Sequence, residues 1–221
     1  MRKLIAFSVA LLLLASCQKK EETTNPENSP NVEDPNYFPM KIGSYWVYEN
    51  YKIDPDGTET KLPDLDSIVI LRDSLINNNN YFIFEGNSSP YSSWKILSIL
   101  RDSSGFIVNP KGEIVFSTIY PSDTLNTDIE LQNNDTIFAI YYIMDGTSYN
   151  ISTPAGNFEA LKTNGIIYMQ RDDSEYLIKD NRELNYFYSP NIGKTIDTWF
   201  YASTDWYNEK RILHYYIPDT N

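Results

Sequence analysis

The sequence of 221 residues contains one histidine, His214, and one cysteine, Cys17. A lone cysteine forms no intrachain disulfide. Zinc sites take several His or Cys ligands, which this chain does not have. A Ser-His-Asp hydrolase would depend on His214, and no nucleophile-elbow motif accompanies it. His214 reads as an interfacial histidine of a strand, on the face it shares with Ile212 and Tyr216. Glycine is also scarce: the nine glycines scatter at turns and build no phosphate loop or dinucleotide fingerprint. Asp54-Pro55-Asp56-Gly57-Thr58-Glu59 has the outline of a calcium loop. It lacks the third oxygen ligand before the glycine and the distal glutamate, and reads as a hairpin turn. Basic side chains are few, 18 against 30 acidic, for a net charge of −12. Phosphate backbones repel such a surface, so nucleic acid is not an expected partner. No metal, cofactor or catalytic residue is expected. The abundant carboxylates leave one opening. A glycosidase pair must lie about 5 or about 6.5–9.5 Å apart across a cleft, which linear spacing cannot reveal. A carboxylate-based hydrolase therefore stays as a third reading.

The N-terminus is organised as an export signal. Arg2 and Lys3 precede an apolar run from Leu4 to Ala15, followed by Ser16 and Cys17. The run is shorter than the about 20 apolar residues of a membrane span. Small residues before a cysteine suit peptidase access, so residues 1–16 read as a removable signal peptide. Leu14-Ala15-Ser16-Cys17 resembles the lipobox of bacterial lipoproteins. The resemblance implies a diacylglyceryl group on Cys17 and an acylated amine, of the palmitate kind, holding the protein to a membrane. Each buried methylene contributes about 0.8 kcal/mol, and stable anchoring takes more than one chain. Residues 17–36 are polar, carry three prolines, and read as a flexible tether. Within them Lys19-Lys20-Glu21-Glu22 resembles the signal that sends some lipoproteins to the cell surface; an ordinary charged linker is the other reading. The expected location is the cell envelope, lipid-anchored at the outer membrane.

From Tyr37 onward, short runs of Val, Ile, Tyr, Phe and Thr alternate with turn clusters. Strands are expected at 44–52, 67–72, 81–85, 94–101, 105–109, 113–120, 136–144, 147–152, 157–163, 165–171, 184–188, 195–203 and 208–217. Turns are expected at Asp54–Gly57, Asn77–Asn80, Asp102–Gly105, Asn109–Gly112, Asp145-Gly146 and Asn164-Gly165. Residues 174–184 and 123–131 are the only helix candidates, and both are poor. The expected fold is all-β with little helix: a single domain, 37–221, built on a large curved antiparallel sheet, open as a half-barrel or closed as a sandwich or barrel. Ile137, Ala139, Tyr141 and Ile143 share one strand face, and Phe138, Ile140, Tyr142 and Met144 the other. A sheet apolar on both faces needs cover on both, which either closure as a sandwich or barrel, or one curved sheet with its concave face filled by a segment or a ligand, would supply.

Three segments resemble an uncharacterised group of bacterial surface lipoproteins. They are Tyr37-Phe38-Pro39-Met40-Lys41-Ile42-Gly43-Ser44-Tyr45-Trp46-Val47-Tyr48, Thr153-Pro154-Ala155-Gly156-Asn157-Phe158-Glu159-Ala160, and Tyr186-Phe187-Tyr188-Ser189-Pro190-Asn191-Ile192-Gly193. The resemblance implies strand–turn–strand elements of a curved sheet, distantly like those of half-barrel lipoprotein carriers and receptors. Those carriers cover the concave face with helices, which this sequence does not supply. Trp94, Trp199, Tyr201 and Trp206 are the candidate ligand-binding aromatics; core filling is the plainer reading. The leading functional reading is a non-enzymatic envelope lipoprotein that binds an apolar or amphiphilic ligand, such as a lipid. The alternative is a surface accessory whose partner is a glycan or an envelope protein.

Overall fold

The computed structural model describes residues 35–89, 91–119, 124–132, 135–169, 183–201 and 204–219. Twelve strands follow one another: β1 (Tyr45–Ile53), β2 (Glu59–Ile76), β3 (Asn79–Ser88), β4 (Tyr91–Asp102), β5 (Phe106–Val108), β6 (Ile114–Ser117), β7 (Thr124–Gln132), β8 (Asp135–Thr153), β9 (Gly156–Met169), β10 (Glu183–Ser189), β11 (Gly193–Phe200) and β12 (Tyr207–Tyr216). No helix occurs among the described residues. All strands join one antiparallel sheet in the order β6-β5-β4-β3-β2-β1-β12-β11-β10-β9-β8-β7. Two six-stranded meanders thus meet where β1 pairs with β12, with Tyr45 opposite Tyr216 and Ile53 opposite Tyr207. The sheet curls into a nearly closed barrel. Its seam lies between β6 and β7, where the Asn126 side-chain amide donates to the Ile114 carbonyl at 2.7 Å.

Alternation sets the inner face. Trp46, Tyr48, Ile70, Phe84, Leu100, Phe116, Met144, Tyr188 and Ile212 form one buried cluster. Ile140, Ile167, Leu184 and Phe200 form a second, with Tyr142 and Tyr186 touching both. A barrel of about eight strands is just wide enough for its own side chains to fill. Twelve strands enclose more, and the chain fills part of the excess with its own N-terminal segment. Phe38 stacks on Tyr188 at 4.9 Å between ring centroids, and Tyr37 and Phe38 lie 5.5 and 5.4 Å from Phe116. The segment is tied at three points. Asn191 N–H donates to the Asn36 carbonyl at 2.7 Å, Lys41 Nζ to the Pro218 carbonyl at 3.0 Å, and Gly43 N–H to the Ile70 carbonyl at 2.7 Å.

Several expectations change. Residues 136–144 and 147–152 form a single strand, as do 157–163 and most of 165–171. Asp145-Gly146 is a bulge, not a turn: pairing shifts between Asp145 and Ser148. The Asp145 carboxylate holds the distortion by accepting from Tyr149 Oη and, at 3.2 Å, from Thr147 N–H. Gly165 lies inside β9, where a Cβ would meet Ile140, Leu184 and Tyr142, each at 3.1 Å. Its missing side chain leaves room for inward neighbours rather than marking a turn. Residues 124–131 of the helix candidate are strand, paired along β8 from Thr124–Ile143 to Leu131–Thr136. Most of 174–184 lies outside the described residues. Cover on both faces is not met either: Leu71 and Tyr141, on the outer side, are exposed.

His214 and Ile212 are not on one face. Val47 pairs with His214 and Tyr48 with Ile212, leaving Leu213 as the extra residue of a bulge. One extra residue inverts the alternation beyond it. Ile212 points into the barrel, whereas His214 is exposed and within 3.0 Å of Tyr45 Oη.

Candidate functional site

The segment 38–40 leaves part of the barrel unfilled. A cavity of about 680 Å³ remains, a size common for small-molecule sites. Its walls are largely apolar, from Phe38, Met40, Trp46, Ile68, Phe84 and Leu100. β4 and the turn around Asn109–Lys111 line another side, and β11 and β12 bring charge. Trp46 is fixed by its indole N–H, which donates to the Ile192 carbonyl at 2.6 Å.

Register assembles the charged corner. On the inner face Tyr186 lies opposite Asp197 and Tyr188 opposite Lys194. Asp197 in turn lies opposite Lys210, and Tyr48 opposite Asp66. Directly opposed residues bring their Cβ atoms to about 4.5–5.5 Å. Two ion pairs form among these neighbours, one reaching across β1 from β12 to β2 and one between residues three apart on β11. Lys210 Nζ lies 2.9 Å from Asp66 Oδ2 and donates to Ser88 Oγ at 2.5 Å. Asp66 Oδ1 accepts from Ser89 N–H at 2.8 Å. Lys194 Nζ lies 3.2 Å from Asp197 Oδ2 and 4.9 Å from the centre of the Tyr186 ring. The pairs differ in access. The Lys210 and Asp66 side chains are 10% and 3% exposed, those of Lys194 and Asp197 32% and 21%. Both residues of the second pair face inward on β11 and line the cavity, so their exposure is to it.

Burial pushes the Tyr48 hydroxyl well up, helped by the negative charge of Asp197; Tyr48 Oη donates to the Lys194 carbonyl at 2.9 Å. Burial also raises the Tyr186 and Tyr188 hydroxyls, with Asp197 adding to it in both. Burial alone would lower the Lys194 ammonium, but the Asp197 and Tyr188 interactions outweigh it and hold it above its ordinary value. At neutral pH the corner therefore presents neutral phenols and, beside Asp197, an ammonium.

None of the aromatics singled out from sequence lines this cavity. Trp94 is 55% exposed on β4, with its indole N–H toward Glu85 Oε2 at 3.5 Å. Trp199 is 42% exposed on β11. Tyr201 and Trp206 do meet, 4.9 Å apart, with Lys52 Nζ 5.8 Å from the Trp206 ring. Trp94 is separated from them by β3, β2, β1 and β12. Cys17 and Lys19 to Glu22 lie outside the described residues. The residues sequence reasoning missed are Asp66, Lys194, Asp197 and Lys210. Their signal was present: Lys210 alternates with the inward Asn208 and Ile212, where a charge is out of place.

Together these features define a class: a nearly closed twelve-stranded meander with an internal amphiphilic cavity. No protein-family model matches the chain, and no curated protein matches its sequence. Two solved structures are similar to it. One is a Bacteroides fragilis protein described as exported, with a YmcC-like fold; it is 13% identical, with a TM-score of 0.47, over 83% of this chain and 100% of that one. The other is a Parabacteroides distasonis protein described as a lipoprotein, 16% identical, with a TM-score of 0.38, over 82% of this chain and 99% of that one.

Proposed function

We propose that the protein is a non-enzymatic lipoprotein of the cell envelope that holds an apolar or amphiphilic ligand inside its barrel. The observation that carries this reading is the cavity of about 680 Å³, walled by Phe38, Met40, Trp46 and Phe84 and polar at the Lys194–Asp197 corner. Apolar walls with a few convergent polar groups are the usual make-up of a ligand site. Attachment at Cys17 and export through Lys19, Lys20, Glu21 and Glu22 belong to the same proposal and rest on the signal pattern of the sequence. The mature chain carrying Cys17→Ser, secreted to the periplasm of a bacterial host, tests the ligand. Its mass under native conditions should exceed its denatured mass by an amount that extracts into organic solvent. Equal masses, with no heat of binding on titration with alkyl amphiphiles, would refute it.

A surface role in binding glycans or envelope proteins has narrower support. The exposed Trp199 and the Tyr201–Trp206 pair provide aromatic surface on which a sugar ring can stack.

A further inference from the structure

The charged corner of the cavity also constrains the head group of its occupant. Asp66, Lys194, Asp197 and Lys210 come to the inner face with no net charge among them. An anion drawn to Lys194 meets the Asp197 carboxylate, which lies 3.2 Å from the same ammonium. A cation drawn to Asp197 meets Lys194 and, directly across the strand pair, Lys210. Either charge is attracted by one member of a pair and repelled by the other. Lys111 at the rim does not tip this balance: it is 80% exposed and lies 3.9 Å from Glu113, so water and salt screen it.

A hydroxyl group meets the corner differently. One oxygen accepts from an ammonium and donates to a carboxylate at once. Among the described residues the contact of Lys194 with Asp197 Oδ2 uses one of its three donors, and both residues line the cavity. The rings of Tyr186 and Tyr188 flank the same ammonium at 4.9 and 5.9 Å, and Tyr188 lines the cavity beside the hydrogen-bonding pair. Beyond them the wall turns apolar along Trp46, Phe84 and Leu100. We propose that the cavity takes an amphiphile with an uncharged, hydroxyl-bearing head group, of the alkyl glycoside or glycolipid type, seated on Lys194 and Asp197. This rests on the cavity being a ligand site.

The test titrates the mature Cys17→Ser chain with three probes of equal chain length, below their micellar range: octyl glucoside, octanoate and octyltrimethylammonium. Calorimetry and native mass read the binding. Octyl glucoside should bind at least about tenfold more tightly than either ion, the scale of one hydrogen bond to a charged group. Asp197→Asn should weaken the glucoside about tenfold and strengthen octanoate, because the repelling carboxylate is gone. Lys194→Gln gives a second reading should Asp197→Asn not fold: it should weaken the glucoside without strengthening octanoate. Octanoate binding as tightly as the glucoside, or both variants leaving the preference unchanged, overturns the head-group assignment while the ligand site stands. If none of the three probes binds, both proposals fall.

Discussion

Removing Lys210 isolates what the inner ion pairs cost and contribute. Its ammonium lies 2.9 Å from Asp66 and bonds Ser88, with side chains 10% and 3% exposed. At an effective dielectric of about 20, charges at that separation attract by about 6 kcal/mol, much of it offset by taking both out of water. Lys210→Met keeps most of the length and removes the charge. Asp66 is then left buried with Ser89 N–H as its remaining named partner. Breaking a buried pair from one side costs about 3–5 kcal/mol, a large share of the about 5–15 kcal/mol that stabilises a typical protein. Asp66→Asn combined with Lys210→Met removes both charges while an amide oxygen stays available to Ser89. The double variant should recover at least half of the loss, because the penalty belongs to the orphaned carboxylate. Urea unfolding of the mature Cys17→Ser chain, comparing midpoints at constant slope, measures each step. A single variant within about 1 kcal/mol of the parent would refute the reasoning, as would a double variant no better than the single.

Gly86→Ala should be costly, since a Cβ there would come within 1.9 Å of the Ser67 carbonyl oxygen and 2.9 Å of its carbon. Backbone cannot yield as a side-chain end does, so a loss of about 2 kcal/mol or more is expected; a melting temperature equal to the parent's would contradict it. Glu49 accepts from Lys61 at 2.5 Å and Tyr51 at 2.6 Å, and these bonds hold its carboxyl below the usual carboxylate range. Its contribution is therefore complete above the unfolded value, about 4.3, and fades as pH falls through the lower folded value. The stability gap between parent and Glu49→Gln should be widest near neutrality and shrink below about pH 4. A gap unchanged from about pH 7 to about pH 3 in urea titrations would show that the bonds to Lys61 and Tyr51 do not favour the charged form.

Local chemistry was legible in the sequence, and distant pairing was not. A turn was legible in the asparagine run 77–80; it is tighter than that, with Asn77 and Asn78 at positive φ of 49° and 61° and Asn79 already paired with Ile76. Phe138, Ile140, Tyr142 and Met144 share one face as their spacing required, and the closed sheet turns that face inward. Asp145-Gly146 misled because the same residues that favour a turn also make a bulge. What decided between them was Tyr149 and Lys162, which hold the Asp145 carboxylate within continuous β8–β9 pairing. β7 misled for another reason: its weak pattern takes the strand form through its ladder with β8 and the Asn126 bond across the seam. The candidate site needed still longer-range information. Asp66 meets Lys210 only because β1 brings β2 and β12 to either side of itself. The exposed tryptophans drew attention by residue type, whereas the cavity depends on charged residues at inward register positions.

Stability alone does not account for those charges. A barrel that closed on a filled core would do as well or better with apolar residues at 66, 194, 197 and 210. Well-packed hydrophobic replacements of a buried ion pair are often neutral or stabilising, by about 1–4 kcal/mol. The chain has the means to fill space, since it sends Tyr37, Phe38 and Met40 inward against Phe116 and Tyr188. Yet the filling stops short, and Lys194, Asp197 and Lys210 line what is left open, with Asp66 buried behind Lys210. An unfilled apolar space and uneconomical charges are each unfavourable by themselves. Their coincidence at one wall is what a site for an amphiphile requires: apolar surface for the chain, and a hydrogen-bonding corner for a head that would otherwise lose its water.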